Sequence, residues 1–89
     1  MNITECSIEG VRIIVPDVHE DERGFFYESY HQDKYKKLIN ISENFVQDNH
    51  SKSFYGVLRG LHFQKNKAQG KLIRVIQGAV YDFFLDIRR

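Results

Sequence analysis

The residues best suited to chemistry lie in one short segment, residues 56–64, which reads GVLRGLHFQ. It places Arg59 and His62 three residues apart among apolar neighbours. On a regular strand such residues point to opposite faces, but Gly60 lies between them, and glycine inside a strand often marks a bulge. A bulge would turn both side chains into one cavity. There an imidazole can exchange protons near neutral pH and a guanidinium can bind an anion.

The same pair also has a purely structural interpretation. A buried His62 can bond a backbone carbonyl while Arg59 extends its charge to the rim of the core. Two further polar residues favour a site, because Gln47 follows an apolar pair and Lys71 begins an apolar run. Taken singly, each is an ordinary strand-end residue. Together they predict that Arg59, His62 and Lys71 converge from neighbouring strands, and the structural alternative stays open.

The pattern along the chain predicts short strands and one helix. Strands are expected at residues 11–15, 25–30, 44–49, 57–64, 71–77 and 80–87, from β-branched or aromatic runs bounded by Gly, Pro or polar residues. Residues 17–24 are expected to form a loop that carries Arg23, and residues 77–78 a hairpin turn. The helix is predicted at residues 33–39, with Asp33 as N-cap and Tyr35, Leu38 and Ile39 on one face. This arrangement indicates a sandwich or barrel.

Size and charge exclude several classes of protein. The chain has 89 residues, enough for one domain, and its 42% apolar and 13% aromatic content indicates a globular, strand-rich protein. A net charge of +1 gives no field for nucleic acid or anionic lipid. No apolar run approaches the roughly 20 residues that span a bilayer. With the single Cys6 and no signal-like start, we expect a cytoplasmic protein without nucleic-acid or membrane partners.

Two other features bear on the type of site. The four histidines are scattered, with no closely spaced His/Glu set, so no metal site is predicted. The last segment, residues 83–87, is a strongly apolar predicted strand. An unpaired apolar edge is an aggregation hazard, so its partner strands are expected to lie outside these residues.

Five segments carry a resemblance to a known family. They are DERGFFYE at 21–28, FVQDNHSKS at 45–53, VLRGLHFQ at 57–64, QGKLIR at 69–74 and DFFLDIR at 82–88. In this order they resemble the signature blocks of the dTDP-4-dehydrorhamnose 3,5-epimerase family. The resemblance extends from about Val11 to the last residue, the first half of a typical member. It implies a mainly β fold, the N-terminal half of a cupin-type jelly-roll barrel with one short helix. Residues 1–89 would form a single partial domain.

The activity that the resemblance implies is the inversion of C3 and C5 in dTDP-4-dehydro-6-deoxy-D-glucose, in dTDP-L-rhamnose biosynthesis. Both carbons flank the C4 ketone, which acidifies their protons. A base, an enolate stabiliser and an acid are therefore sufficient, and no metal or other cofactor is expected. The implied partners are a deoxythymidine-diphosphate (dTDP) keto sugar and a second subunit, in a homodimer that exchanges an N-terminal segment.

The resemblance also assigns roles by position. His62 matches the general base, Lys71 the cation beside the C4 oxygen, and Arg59 a diphosphate contact. Polar pocket groups are matched by Gln47 and Asn49, and residues near the nucleotide, in the exchanged segment, by Arg23, Phe26 and Glu28. The general-acid tyrosine and the carboxylate paired with the histidine belong to the half of the fold outside these residues.

Two alternatives remain at this stage. The 89-residue chain can be a catalytically incompetent fragment that at most binds sugar nucleotide or dimerises. It can also belong to a related keto-sugar isomerase or single-centre epimerase, because one fold supports several reactions.

Overall fold

The computed structural model describes residues 1–66 and 69–88. The chain divides into two compact units, Met1–Asp48 and Asn49–Arg89. The regular structure of the described residues lies in the first unit and is mainly β. It comprises strands β1 (Asn2–Glu5), β2 (Arg12–Val15), β3 (Val18–Asp21) and β4 (Gly24–Tyr27), followed by helix α1 (Gln32–Ile39).

The first hairpin pairs β1 with β2 in antiparallel register, with Ile3 opposite Ile14. These two side chains are half-buried, and the Cys6 backbone N–H closes the hairpin by donating to the Val11 carbonyl at 3.0 Å. The predicted strand at residues 11–15 is confirmed. The sequence did not predict β1, because Asn2–Glu5 has one apolar residue and forms a strand through backbone pairing.

The second hairpin pairs β3 with β4, from Val18 opposite Tyr27 to Asp21 opposite Gly24. The predicted aromatic strand is confirmed, although β4 ends at Tyr27 rather than at Tyr30. The predicted loop at residues 17–24 is wrong over its middle part, where β3 is a strand. All four β3 side chains are exposed. A strand that is exposed to solvent on both faces has no alternation of apolar and polar residues from which it could be predicted. Its strand conformation is stabilised by the backbone hydrogen bonds of the ladder.

The turn between β3 and β4 is held by Asp21. Its carboxylate accepts from the Arg23 backbone N–H at 2.8 Å and from Arg23 Nε at 3.1 Å. Aspartate at the first turn position and glycine at the fourth are type I preferences. Gly24 has φ +136°, which residues with a side chain rarely adopt. This local contact explains how a charged, polar segment makes a tight hairpin.

Helix α1 begins one residue earlier than predicted and has a different cap. The N-cap is His31, whose Nδ1 accepts from the Lys34 backbone N–H at 3.2 Å. Asp33, the predicted cap, lies inside the first turn, where its negative charge interacts favourably with the positive end of the helix dipole. Asn40, in the left-handed conformation, ends the helix. No helix in the described ranges is long and apolar enough to cross a membrane.

The core of the first unit is small and aromatic. Among the described residues the buried apolar side chains are Tyr35 and Ile39, one helical turn apart. The Tyr30 ring packs edge-on against Tyr35 and Phe45, at centroid distances of 5.1 and 5.9 Å. The third residue of the predicted helical face, Leu38, is exposed. The cluster covers only a narrow stripe of the helix, and Leu38 lies beside it.

The predicted strands at residues 44–49, 57–64, 71–77 and 80–87 are wrong for this chain, because none forms in the described residues. A strand needs a neighbouring backbone to take its hydrogen bonds, and these segments have no ladder. Their large side chains are exposed, with Phe63 at 76% and Phe83 at 71%. The chain bends at the predicted turn at residues 77–78 without joining paired strands. Apolar composition alone therefore does not order them.

We predict that His31→Ala weakens helix α1 by about 1 kcal/mol, because the Lys34 amide loses its capping acceptor. His31→Asn is the matched control, since asparagine is a strong N-cap and should retain the helix. Amide hydrogen exchange at Lys34 measures the effect, and unchanged protection in His31→Ala would contradict the assignment of the cap.

A second prediction concerns the contact between Asp21 and Arg23 at low pH. The side chain and backbone of Arg23 hold the pKa of Asp21 below its usual value of 3.8. The contact therefore persists where an ordinary carboxylate would be protonated, and is lost as the pH falls through the lowered pKa. The Arg23 amide resonance should shift at that step. In Asp21→Asn, which keeps the acceptor but cannot titrate there, the step should be absent. The same step in both proteins would exclude Asp21 as its source.

Candidate functional site

Two adjoining clefts lie beside the β3–β4 hairpin in the first unit. The larger is about 430 Å³ and the smaller about 220 Å³. The larger is lined by His19, Glu20, Asp21, Arg23, Gly24, Phe25 and Phe26. The smaller is lined by Met1, Pro16, Asp17, His19, Phe26, Glu28 and Lys34. Arg23, Phe26 and Glu28, the three residues expected near a nucleotide, therefore line these clefts, and Phe26 belongs to both.

The larger cleft carries a cation held in a fixed direction. The Asp21 carboxylate anchors Arg23 by accepting hydrogen bonds from the Arg23 backbone N–H and from Arg23 Nε. This pairing also raises the pKa of the Arg23 guanidinium. The Arg23 side chain remains 84% exposed. An anchored but accessible guanidinium can bind an anion from solution. The neighbouring rings of Phe25 and Phe26, 70% and 72% exposed, offer flat apolar surface.

The smaller cleft is lined by two ion pairs. Glu28 Oε1 accepts from Lys34 Nζ at 3.1 Å, and Asp17 Oδ2 accepts from the Met1 ammonium at 2.8 Å. The hydrogen bond from that ammonium, followed by its charge, lowers the pKa of Asp17. Sequence reasoning missed Asp17 and Lys34, since neither belongs to a motif. The six-residue separation of Glu28 and Lys34 across the start of helix α1 gave no signal.

In the second unit, Arg59 has two hydrogen bonds to a nearby segment. Its Nε donates to Ser53 Oγ at 2.8 Å, and its Nη2 donates to the Lys52 carbonyl at 3.2 Å. A turn closed by the Val57 N–H donating to the Phe54 carbonyl, at 3.2 Å, lies between these residues in sequence. The sequence pattern indicated Arg59 as a site residue but gave no signal for Ser53 as its partner.

His62 and Lys71 are exposed, and they line neither of the two clefts. A methyl group placed on Gly60 would lie 3.4 Å from His62 Nδ1, so the imidazole lies close to that glycine. Gly60 has φ +98°, but no strand surrounds it, so the expected bulge is absent. No hydrogen bond or ion pair joins Arg59, His62 and Lys71 to one another in the described part of the chain. Their convergence stays a prediction.

The remaining expected pocket residues, Gln47 and Asn49, are both exposed. Gln47 belongs to the first unit and Asn49 begins the second. Each is engaged in a polar contact. Within residues 1–66 and 69–88, no group of three or more His, Cys, Asp or Glu side chains is placed to hold a metal ion.

Comparison with known proteins gives a consistent result. The family model for dTDP-4-dehydrorhamnose 3,5-epimerase matches residues 5–89. Two relatives with that name, from Escherichia coli K12 and Salmonella typhimurium LT2, are 51% and 52% identical. These alignments cover 99% and 100% of this chain but 48% and 49% of the relatives, so the chain spans about half their length.

A solved structure is similar as well. It is dTDP-6-deoxy-D-glucose-3,5-epimerase from Legionella pneumophila Philadelphia 1 in complex with dTDP-4-keto-L-rhamnose, with a TM-score of 0.71 and 49% identity. The match covers 75% of this chain and 36% of that one. The family model accounts for all but the first few residues, and the two relatives from Escherichia coli and Salmonella typhimurium share about half of their aligned residues with this sequence. The chain belongs to the dTDP-4-dehydrorhamnose 3,5-epimerase family.

Proposed function

We propose that this chain supplies the N-terminal part of an epimerase that inverts C3 and C5 of dTDP-4-dehydro-6-deoxy-D-glucose in dTDP-L-rhamnose biosynthesis. The observation that carries the proposal is the family match over residues 5–89, which includes the segments of Arg59, His62 and Lys71. The complex of the Legionella relative with a dTDP-keto sugar supports the class of substrate.

The proposed chemistry is proton transfer beside a ketone. His62 removes the proton from C3 or C5, because imidazole titrates near neutral pH. Lys71 lies beside the C4 oxygen, where its ammonium stabilises the enolate that forms. Return of a proton on the opposite face inverts the carbon. The ketone itself acidifies both positions, so no metal or other cofactor is needed.

The proposed substrate contacts divide into two groups. Arg59 binds the diphosphate, while Gln47 and Asn49 contribute polar groups to the pocket. Arg23, Phe26 and Glu28 lie near the nucleotide, where Phe26 offers a ring for stacking and Arg23 a cation. The two adjoining clefts that these three residues line support their grouping.

We further propose that the chain forms one partial domain, the N-terminal half of a cupin-type jelly roll. The exposed apolar side chains at residues 57–64 and 80–87 support this proposal, because burial of these side chains under further strands would be favourable. The complete protein is a cytoplasmic homodimer, and the segment that carries β4 serves the partner's site. The exposed rings of Phe25 and Phe26 fit such an exchange.

A second candidate function is binding of the sugar nucleotide without turnover by the isolated 89-residue chain. It is favoured by the exposure of His62 and Lys71, since charges in water stabilise an enolate far less than charges in a dry pocket. In addition, the general acid and the carboxylate paired with His62 have no assigned residue here.

Exchange of solvent deuterium tests the first function. With the complete protein in deuterated water, NMR should show loss of the C3 and C5 proton signals of dTDP-4-dehydro-6-deoxy-D-glucose. His62→Ala should slow this exchange about a hundredfold or more, the range of a general base. Lys71→Ala should slow it as well, because the enolate loses its counter-charge. Lys65→Ala, which removes another exposed ammonium that has no assigned role, is the matched control.

The outcomes separate the two functions. Exchange at the wild-type rate in His62→Ala would contradict the proposed base. Binding of dTDP by the wild-type chain without any exchange would favour the second function.

A further inference from the structure

The contact between Ser53 and Arg59 has no role in the function proposed above. Ser53 Oγ accepts from Arg59 Nε at 2.8 Å, and the adjacent Lys52 carbonyl accepts from Nη2 at 3.2 Å. The turn closed by Val57 and Phe54 reverses the chain between these residues. The Lys52 ammonium lies 5.8 Å from the centroid of the Phe54 ring, which ties Lys52 to the same turn.

The atoms used in this contact determine what the guanidinium can still bind. A guanidinium is a planar fork of five N–H donors. Nε and one N–H of Nη2 form one edge of the fork, and the serine and the carbonyl occupy that edge. The other edge, formed by Nη1 and the second N–H of Nη2, makes no hydrogen bond to the residues that the structure describes. Two parallel donors on one edge match two oxygens of a phosphate group.

We infer that Ser53 is a positioning residue, which holds Arg59 so that its open edge binds the diphosphate of a nucleoside diphosphate. The inference rests on the proposed function in one respect, the assignment of the diphosphate to Arg59. A free arginine side chain loses considerable rotamer entropy when it binds a ligand. Ser53 and the Lys52 carbonyl fix the side chain beforehand, so less entropy is lost on binding.

Titration calorimetry of the 89-residue chain with dTDP and with thymidine tests the inference. Ser53→Ala should weaken dTDP binding about tenfold, because Arg59 loses a charge-assisted hydrogen bond. Thymidine, which lacks phosphates, should bind as it does to the wild type. Ser53→Thr retains the hydroxyl and should restore dTDP affinity. Ser42→Ala, which removes an exposed serine hydroxyl elsewhere, is the control.

A double variant separates positioning from a general loosening of the chain. If Ser53 acts through Arg59, then Ser53→Ala should have no further effect on dTDP affinity in the Arg59→Ala background. A further loss there, or an equal loss of thymidine binding in Ser53→Ala, would overturn the inference.

The remaining outcomes distinguish this inference from the proposed function. Wild-type affinity for dTDP in Ser53→Ala, together with weakened binding in Arg59→Ala, would overturn the role of Ser53 and leave the proposed function standing. If the wild-type chain bound no dTDP, this inference and the second candidate function would be overturned, while the epimerase function, which belongs to the complete protein, would still stand.

Discussion

Backbone hydrogen bonding determines which parts of this chain form strands. In the first unit, the largely polar segments Asn2–Glu5 and Val18–Asp21 form strands because each pairs with a neighbouring strand, although most of their side chains are exposed. In the second unit, apolar segments with higher strand propensity form no ladder in the described residues. Backbone pairing therefore outweighs strand propensity: polar segments with a partner form strands, and apolar segments without a partner do not. Hydrophobic burial contributes less to the order of the first unit, because its buried core is small and consists mainly of the cluster around Tyr35.

The same distinction explains what the sequence predicted. Strand β2, strand β4 and helix α1 have periodic or β-branched patterns and were predicted to within a few residues. Strand β3 escaped prediction because a strand exposed on both faces has no apolar period. The helix cap was assigned to Asp33 rather than His31, because an imidazole acceptor is outside the usual preferences for an N-cap. The strands predicted in the second unit depend on partners that a single-chain pattern cannot supply.

The candidate site residues likewise divide into those joined by local structure and those that depend on pairing between distant segments. Arg23, Phe26 and Glu28 were expected near a nucleotide, which stays a prediction, and they line two adjoining clefts because a four-residue turn and one short strand connect them. For Arg59, His62 and Lys71 the expectation depends on pairing between distant segments, and no contact within the described residues tests it. The contacts that sequence reasoning missed, Glu28–Lys34 and Ser53–Arg59, join residues six positions apart across a turn or a helix start. No simple period covers such spacings.

The second hairpin also has two unlike open edges. Strand β3 contains His19, Glu20 and Asp21, whereas β4 contains Phe25 and Phe26, and within the described residues each strand has one unpaired backbone edge. An incoming strand would meet carboxylates and lose their hydration on the β3 side, but would cover aromatic rings on the β4 side. Addition of a further strand is therefore favoured next to β4 and opposed next to β3.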